Sequence, residues 1–354
     1  MPPKKAANAI GPHGAAELPL VSVESYNIEI KDDEGFIGDR ASKGAFFELL
    51  EEGRAQVRKV GADPLGDTPS EEIGRKRLDK LLAEGDPEAI GLIQGAAEEF
   101  AQRLAGVIRR FLRLKAWRDV QRIVIGGGFR ESRIGELVIG RASVILKTSQ
   151  IEIEMLPIRN HPDEAGLIGC VHLAPKWIFS GHDSLVAVDI GGSNIRCGII
   201  ELGKAQDLSK AKVWKSELWR HAEDEPGRDE AVARLAKMIE GLVAAAEKSK
   251  LRLAPFIGVG CPGQIAGDGS IESGAQNLPG NWESSRFQLP ESITEAIPTI
   301  GEHKTLVLMH NDAVVQGLSE APFMGDVECW GVLTIGTGLG NASFRNTAHE
   351  AASG

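Results

Sequence analysis

The stretch Ser184–Leu202, SLVAVDIGGSNIRCGIIEL, constrains the fold more than any other. Ser184 to Asp189 is apolar and β-branched apart from its ends, and Ile195 to Leu202 is a second apolar run. Between them Gly191, Gly192, Ser193 and Asn194 are turn formers, and the two glycines tolerate positive φ without cost. The pattern predicts strand, tight turn, strand, with Asp189 beside a turn rich in bare backbone N–H groups. Such a nest suits a phosphate, and the acid suits a Mg²⁺ ion held mostly through water. The same residues also describe an ordinary hairpin whose Asp caps its own turn.

With 354 residues the chain is long enough for two lobes, each with its own core. A net charge of −10 and only short basic clusters (Lys4-Lys5, Arg75 to Arg77, Arg109-Arg110) argue against a nucleic-acid partner. Cys170, Cys197, Cys261 and Cys329 lie far apart with no C-x-x-C pair, against a zinc cluster and against a disulfide framework. Their neighbours are mostly apolar, so they read as buried free thiols, and a reducing cytoplasm is the simplest compartment. Residues 1–20 contain no continuous apolar segment of the signal-peptide kind and read as a disordered leader. No apolar run approaches the length of a membrane span, so no membrane partner is expected.

In chain order, Val21–Ile30 reads as a strand, with helices over Ser42 to about Val60 and Glu71–Leu82. Asp86-Pro87-Glu88 starts a long helix: a capping Asp, proline at the first helical position, an acid in the first turn. Ile93, Ala97, Phe100, Leu104, Val107 and Phe111 give that helix one buried stripe. Gln121–Gly128, QRIVIGGG, is a buried strand running into three glycines, either a close approach for a ligand or a plain turn. Ser143–Leu146 and Ile151–Leu156 read as strands, and Asp163–Ala174 as a helix with small residues for close packing. Asp229–Lys248 is an amphipathic helix. Phe256–Val259 is a strand leading to a fixed turn at Cys261-Pro262-Gly263, and Gln264–Trp282 is a polar loop. Thr305–Met309 is a strand ending in His310-Asn311-Asp312, with a helix from Ala313. Glu328–Phe344 repeats the opening pattern: GVLTIGTGLGNASF matches VAVDIGGSNIRCGII as apolar strand, glycine hairpin, apolar strand. Two such hairpins facing each other could grip a triphosphate from both sides, with a strand-end acid between them.

VDIGGSNIR resembles the first phosphate motif of the actin-like ATPase and sugar-kinase superfamily, and LTIGTGLG its second. GCPGQIAGDGSIESGAQNLPGNW resembles the signature of the ROK family (repressors, open reading frames and kinases), and HNDA its catalytic N-D-A. RIVIGGG is similar to the adenosine motif and DEAGLIGCVHLA to the closing helix. The resemblance runs from about Val23 to Phe344 and implies a two-lobe α/β actin-like ATPase (ribonuclease H-like) fold. The motifs stand in rotated order, adenosine motif and closing helix first, which implies a circular permutation: family ends joined near Lys176 to Ser184, new ends after Phe344. The expected division is a disordered leader over 1–20, then a lobe over 21–182 with the adenosine motif and closing helix. A second lobe over 183–325 carries the first hairpin, the polar loop and Asp312, and 326–354 is a hairpin packing with the first lobe.

The implied reaction is transfer of the ATP γ-phosphoryl group to a sugar hydroxyl, that of a hexose such as glucose, with ATP and Mg²⁺ as cofactors. Asp312 is the expected general base; its residue type and place also fit a helix cap. Asp189 orients Mg²⁺ through water. Gly191, Gly192, Ser193, Gly336, Thr337 and Gly338 offer donors to phosphate. Arg196 either stabilises charge on the transferred group or pairs with a surface acid. Gly126, Gly127 and Gly128 pass beneath the adenine or ribose. Asn277 and Asn311 are expected at sugar hydroxyls. The family's E-x-G-H and zinc loop are missing, so no structural zinc is expected; Glu24 and Asn27 take their place as sugar contacts or are surface residues of a first strand. His310 is read as a packed or capping residue with no catalytic role. The resemblance also admits a homodimer, which no residue establishes. The alternative function is a non-catalytic sugar- or nucleotide-binding regulator; residues 1–22 hold no helix-turn-helix, so such a regulator would act without a DNA-binding domain.

Overall fold

A computed structural model describes residues 10–128 and 132–347. Ten strands form two five-stranded sheets. The strands are β1 (Val21–Tyr26), β2 (Arg122–Gly126), β3 (Glu154–Pro157), β4 (Ser184–Ile190) and β5 (Ile195–Glu201), then β6 (Lys212–Trp219), β7 (Leu253–Cys261), β8 (Leu306–Asn311), β9 (Cys329–Ile335) and β10 (Leu339–Asn346). The helices are α1 (Lys43–Val57), α2 (Arg75–Glu84), α3 (Pro87–Phe111), α4 (Arg133–Thr148) and α5 (Pro162–Gly169), then α6 (His221–Asp224), α7 (Arg228–Lys248), α8 (Leu289–Ala296) and α9 (Asp312–Leu318). Contacts divide the chain into two compact units. Among the described residues, one holds 10–27, 159–332 and 341–347; the other holds 28–128, 132–158 and 333–340.

In the first unit the sheet order is β8-β7-β4-β5-β6. β4 pairs antiparallel with β5, and β5 with β6. β4 pairs parallel with β7, and β7 with β8. Every residue of β4 is buried, which is why its sequence is a continuous apolar run rather than an alternation. Leu235, Met238, Ile239 and Leu242 of α7 join Val186, Val188, Ile257 and Val259 in one core. α5 and α9 pack on each other. That contact requires Gly169, because a side chain there would run into the Val315 carbonyl.

In the second unit α1 and α3 pack together, as do α3 and α4. Asp86 caps α3 by accepting from the N–H groups of Glu88 and Ala89, with Pro87 at the first position. Its stripe Ile93, Ala97, Phe100, Leu104, Val107 and Phe111 enters the core with Phe46, Leu50, Trp117 and Ile125.

The second sheet has the order β1-β10-β9-β2-β3, with β1 antiparallel to β10 and β2 parallel to β3. Counted in chain order from β4, the first sheet reads 3-2-1-4-5 from β6 to β8. Counted from β9 and continued through β1, the second sheet reads the same. This twice-used order is the α/β architecture of the actin-like ATPase (ribonuclease H-like) class.

Several local expectations change. Ser143–Leu146 is not a strand but the last part of α4. Ser132 caps that helix, and Ile134, Val138, Ala142 and Ile145 bury one face, so helical periodicity outweighs the β-branched run. Of the leader expected over 1–20, residues 1–9 lie outside the described residues and 10–20 are folded: the Gly14 N–H donates to the Met309 carbonyl, and the Met309 N–H to His13 Nδ1. The polar loop contains a short antiparallel pair, Gln264–Ile265 with Ile271–Ser273. Residues 159–182 fall in the first unit rather than with 28–158, and of the last stretch only Leu333–Gly340 falls in the second.

Candidate functional site

The three parallel strands β4, β7 and β8 end together, with Asp189 and His310 both in register with Gly260 of β7. Asp189 therefore stands at the carboxyl end of β4, and Asp312 directly follows β8. The crevice beyond the carboxyl ends of parallel strands is where open α/β sheets bind ligands.

Asp189 is 5% exposed. Burial pushes its carboxyl up to about 6; Arg196, its cross-strand partner on β5, opposes that shift, and Asp163 adds to it. Arg196 is itself ion-paired with Asp163, so the surface-acid pairing foreseen as an alternative is the one formed. The carboxylate fits only because α5 presents a glycine: a Cβ on Gly166 would lie 2.6 Å from both Asp189 oxygens. Gly166 carried a packing signal in the sequence, but nothing there pointed to its partner.

Asp312 is the first residue of α9. Burial, then the Asp189 charge, push its carboxyl up to about 7, against hydrogen bonds from backbone N–H groups and Asn311. A carboxyl poised near neutrality is suited to proton transfer.

The cap of α9 is Asn311, not Asp312. Asn311 Oδ1 accepts from the N–H groups of Ala313 (3.0 Å) and Val314 (3.3 Å), and Nδ2 donates to the Gly263 carbonyl (3.0 Å). Both ends of this buried amide are committed within the fold, so Asn311 fixes the start of α9 and the Cys261-Pro262-Gly263 turn. His310 Nδ1 accepts from the Asn311 N–H, while Nε2 faces the Ala15 carbonyl. Its burial depresses its pKa to about 4, leaving a neutral packing residue.

In the hairpin after β4 the Gly191 N–H donates to the Asn194 carbonyl (2.8 Å), and the Gly191 carbonyl meets His221 Nε2. Neither glycine uses the positive φ that it would tolerate. Gly192 is needed for space: a Cβ there would lie 3.0 Å from Cβ of Asn277. That approach brings Asn277 of the polar loop against the hairpin. Ser193 accepts the Ala222 N–H at its carbonyl.

The two first-strand candidates separate. Glu24 is ion-paired with Arg345 on β10 at 3.3 Å, and Arg345 also pairs with Glu328. Asn27 adopts φ 49° and donates its N–H to the Asn341 carbonyl. A Cβ on Gly274 would lie 2.5 Å from Asn27 Nδ2, so Asn27 is alongside the polar loop.

In the second unit, Gly127 has φ 84°, and a Cβ there would run into the Ile335 carbonyl. The triple-glycine turn Gly126 to Gly128 thus abuts the entry to the second hairpin. There the Gly336 N–H donates to the Gly338 carbonyl (3.0 Å), and the Gly336 carbonyl accepts from Lys43, the first residue of α1 (2.9 Å). Thr337 is exposed at the tip.

For a divalent cation, Asp189 offers one carboxylate in a confined place, which fits an ion held mostly through water. Among the described residues no group of three or more His, Cys, Asp or Glu is gathered to ligate a metal. A cavity of about 790 Å³ lies elsewhere, between α1 and α3, and none of the candidate residues line it. No described helix is long and apolar enough to cross a membrane.

Compared with protein-family models the sequence matches none, and it matches no curated protein. Similar solved structures include the ROK hexokinase from Thermus thermophilus, 20% identical over 37% of this chain and 35% of that one, TM-score 0.26. A second is the Listeria monocytogenes protein Lmo2764, assigned without established activity as an N-acetylmannosamine kinase: 24% identical, 46% of this chain and 47% of that one, TM-score 0.33. A third is the PPX-GPPA enzyme of Aquifex aeolicus, 14% identical over 70% of this chain and 86% of that one, TM-score 0.30. The match thus spans less than half the length of both kinases. Likenesses this low carry no argument, and the fold rests on the strand orders above.

Proposed function

We propose that the chain phosphorylates a sugar hydroxyl with ATP, as a circularly permuted protein of the ROK type acting on a hexose. The observation that carries this reading is Asp312: a carboxyl at the end of β8, coupled to Asp189, with its pKa pushed up to about 7. ATP would supply the phosphoryl group. Asp312 takes the proton of the acceptor hydroxyl as that oxygen bonds to the γ-phosphorus and the bond from that phosphorus to the departing ADP oxygen breaks. Asp189 would hold Mg²⁺ through its water shell, the ion supplying charge neutralisation at the phosphates, and Arg196 tempers the charge on Asp189. Gly192 and Ser193 offer backbone donors to phosphate, as do Thr337 and Gly338 in the second unit, while the Gly191 and Gly336 N–H groups are engaged inside their own hairpins by the Asn194 and Gly338 carbonyls. Gly126 to Gly128 accommodate the adenosine. Asn277 and Asn27 contact the sugar, and Asn311 positions Asp312 rather than the substrate.

The permutation is supported by the start of β1 lying beside the end of β10: Val21 pairs with Asn346, and the Thr347 N–H donates to the Leu20 carbonyl. A short turn there would complete the meander that β4, β5 and β6 form in the first sheet.

A coupled ADP-release assay across hexoses and amino sugars tests the function. Turnover with at least one sugar, lost in Asp312→Asn with nucleotide affinity kept, is expected. No turnover with any sugar, in protein shown to bind ATP, would sink it. One observation favours a second reading, a non-catalytic sugar- or nucleotide-binding regulator: the expected sugar-binding acid, Glu24, is engaged by Arg345. Calorimetric sugar binding without any ATP hydrolysis would select that reading.

A further inference from the structure

A cationic side chain outside every motif lies on the triple-glycine turn. Arg75 opens α2, is exposed, and donates from Nη1 to the Gly128 carbonyl. A Cβ on Gly128 would lie 3.0 Å from Nη1, 3.5 Å from Cζ and 3.8 Å from Nη2 of Arg75. The guanidinium is therefore laid broadside over the one face of Gly128 that a side chain would have filled.

Its position is set by packing. Leu78, on the next turn of α2, is 1% exposed. Arg77 donates to the Leu65 carbonyl, and Asp79 accepts the Ile134 N–H. Further contacts adjoin the turn: Gly127 lies against the Ile335 backbone, and the Gly336 carbonyl accepts from the Lys43 N–H. The turn thus offers side-chain-free backbone with a planar cation laid on Gly128.

We infer that Arg75 is a nucleobase-contacting residue, stacking its outer guanidinium face on the purine of a bound nucleotide while its edge holds the Gly128 carbonyl. The inference rests on the reading of Gly126 to Gly128 as an adenosine site. A planar guanidinium fixed at one edge is suited to stacking on an aromatic ring, and a lysine cannot reproduce that geometry. A phosphate contact would instead depend on charge alone.

The test is calorimetric titration of the full chain with ATP, ADP and inorganic tripolyphosphate, for wild type, Arg75→Ala and Arg75→Lys, with thermal unfolding as the control for folding. Arg75→Ala should weaken ATP and ADP about tenfold, the scale of a cation–π contact, and leave tripolyphosphate unchanged. Arg75→Lys should recover little of the ATP affinity. Unchanged ATP affinity in Arg75→Ala overturns the inference, as does full recovery in Arg75→Lys or an equal loss for tripolyphosphate. Wild-type protein that binds neither ATP nor ADP overturns the adenosine reading as well, so the two failures are distinct.

Discussion

Replacing Asp312 by Asn removes a carboxyl whose pKa rises from 3.8 unfolded to about 7 folded. Between those values the folded protein holds a proton that the unfolded chain does not. Stability therefore falls as pH rises from about 4 to about 7 and stays low above that. A rise of about three pH units corresponds to roughly 4 kcal/mol at 1.4 kcal/mol per unit; Asp312 is half-buried, and water screening brings this to about 2 kcal/mol. Asparagine keeps the shape without the charge. It also frees Asp189 of a like-charged neighbour. Asp312→Asn should therefore be more stable than wild type by about 2 kcal/mol at pH 8.5 and indistinguishable from it at pH 4. The assay is urea unfolding across pH 4 to 9, read on the transition of the first unit, because two compact units need not unfold together. A variant no more stable than wild type at pH 8.5 would refute the reasoning, as would a difference that persists undiminished at pH 4. With the proposed chemistry, this substitution exchanges activity for stability.

Gly166→Ala should be destabilising by about 1–3 kcal/mol although alanine is the better helix former by about 1 kcal/mol, because the new methyl meets the Asp189 carboxylate; a raised unfolding midpoint would contradict it. Gly127→Ala, at φ 84° and against the Ile335 backbone, should cost about 1–3 kcal/mol in the second unit and weaken ATP binding in a direct titration. Asn311→Ala removes the α9 cap and leaves the Gly263 carbonyl without its donor, a combined loss of about 2–4 kcal/mol by denaturant unfolding; Asn311→Ser, which keeps a cap oxygen, should recover part of it.

What was legible in the sequence followed burial. β4 and β5 show as continuous apolar runs because both faces are covered, and α3 shows because Asp86, Pro87 and one apolar stripe agree. β6 was missed because most of its residues are exposed, so KVWKSELW carries little apolar signal. The end of α4 was misread because VIL favours strands locally, while the cap at Ser132 that decides it lies eleven residues before Ser143. At the site, Asp189 and Asp312 were legible as acids at strand ends. That Asn311 rather than Asp312 caps α9 was not, because Asn and Asp both suit a cap and only the carbonyl of distant Gly263 distinguishes them. The match between Gly166 and Asp189 was invisible for the same reason: it depends on α5 meeting β4, not on spacing.

The second sheet brings together strands from opposite ends of the sequence, and this gives the permutation a direct test. β1 and β10 must find each other across nearly the whole chain, whereas β5 and β6 are joined by a short connection. Closing a long loop costs more entropy than closing a short one, although the difference grows only with the logarithm of length. A chain that begins at Gly181, runs to Thr347, continues through a flexible linker into Ile10 and ends at Ser180 makes the β10–β1 pairing local. It keeps His13 and Gly14 at Met309, and it opens a loop whose residues Ser180 and Gly181 are exposed. It should fold to the same far-ultraviolet dichroism, refold faster, and match or exceed the wild-type unfolding midpoint, because the new link replaces a long closure with a short one. Loss of cooperative unfolding in the rearranged chain would show that the present connectivity is required, and would refute permutation of an otherwise intact fold.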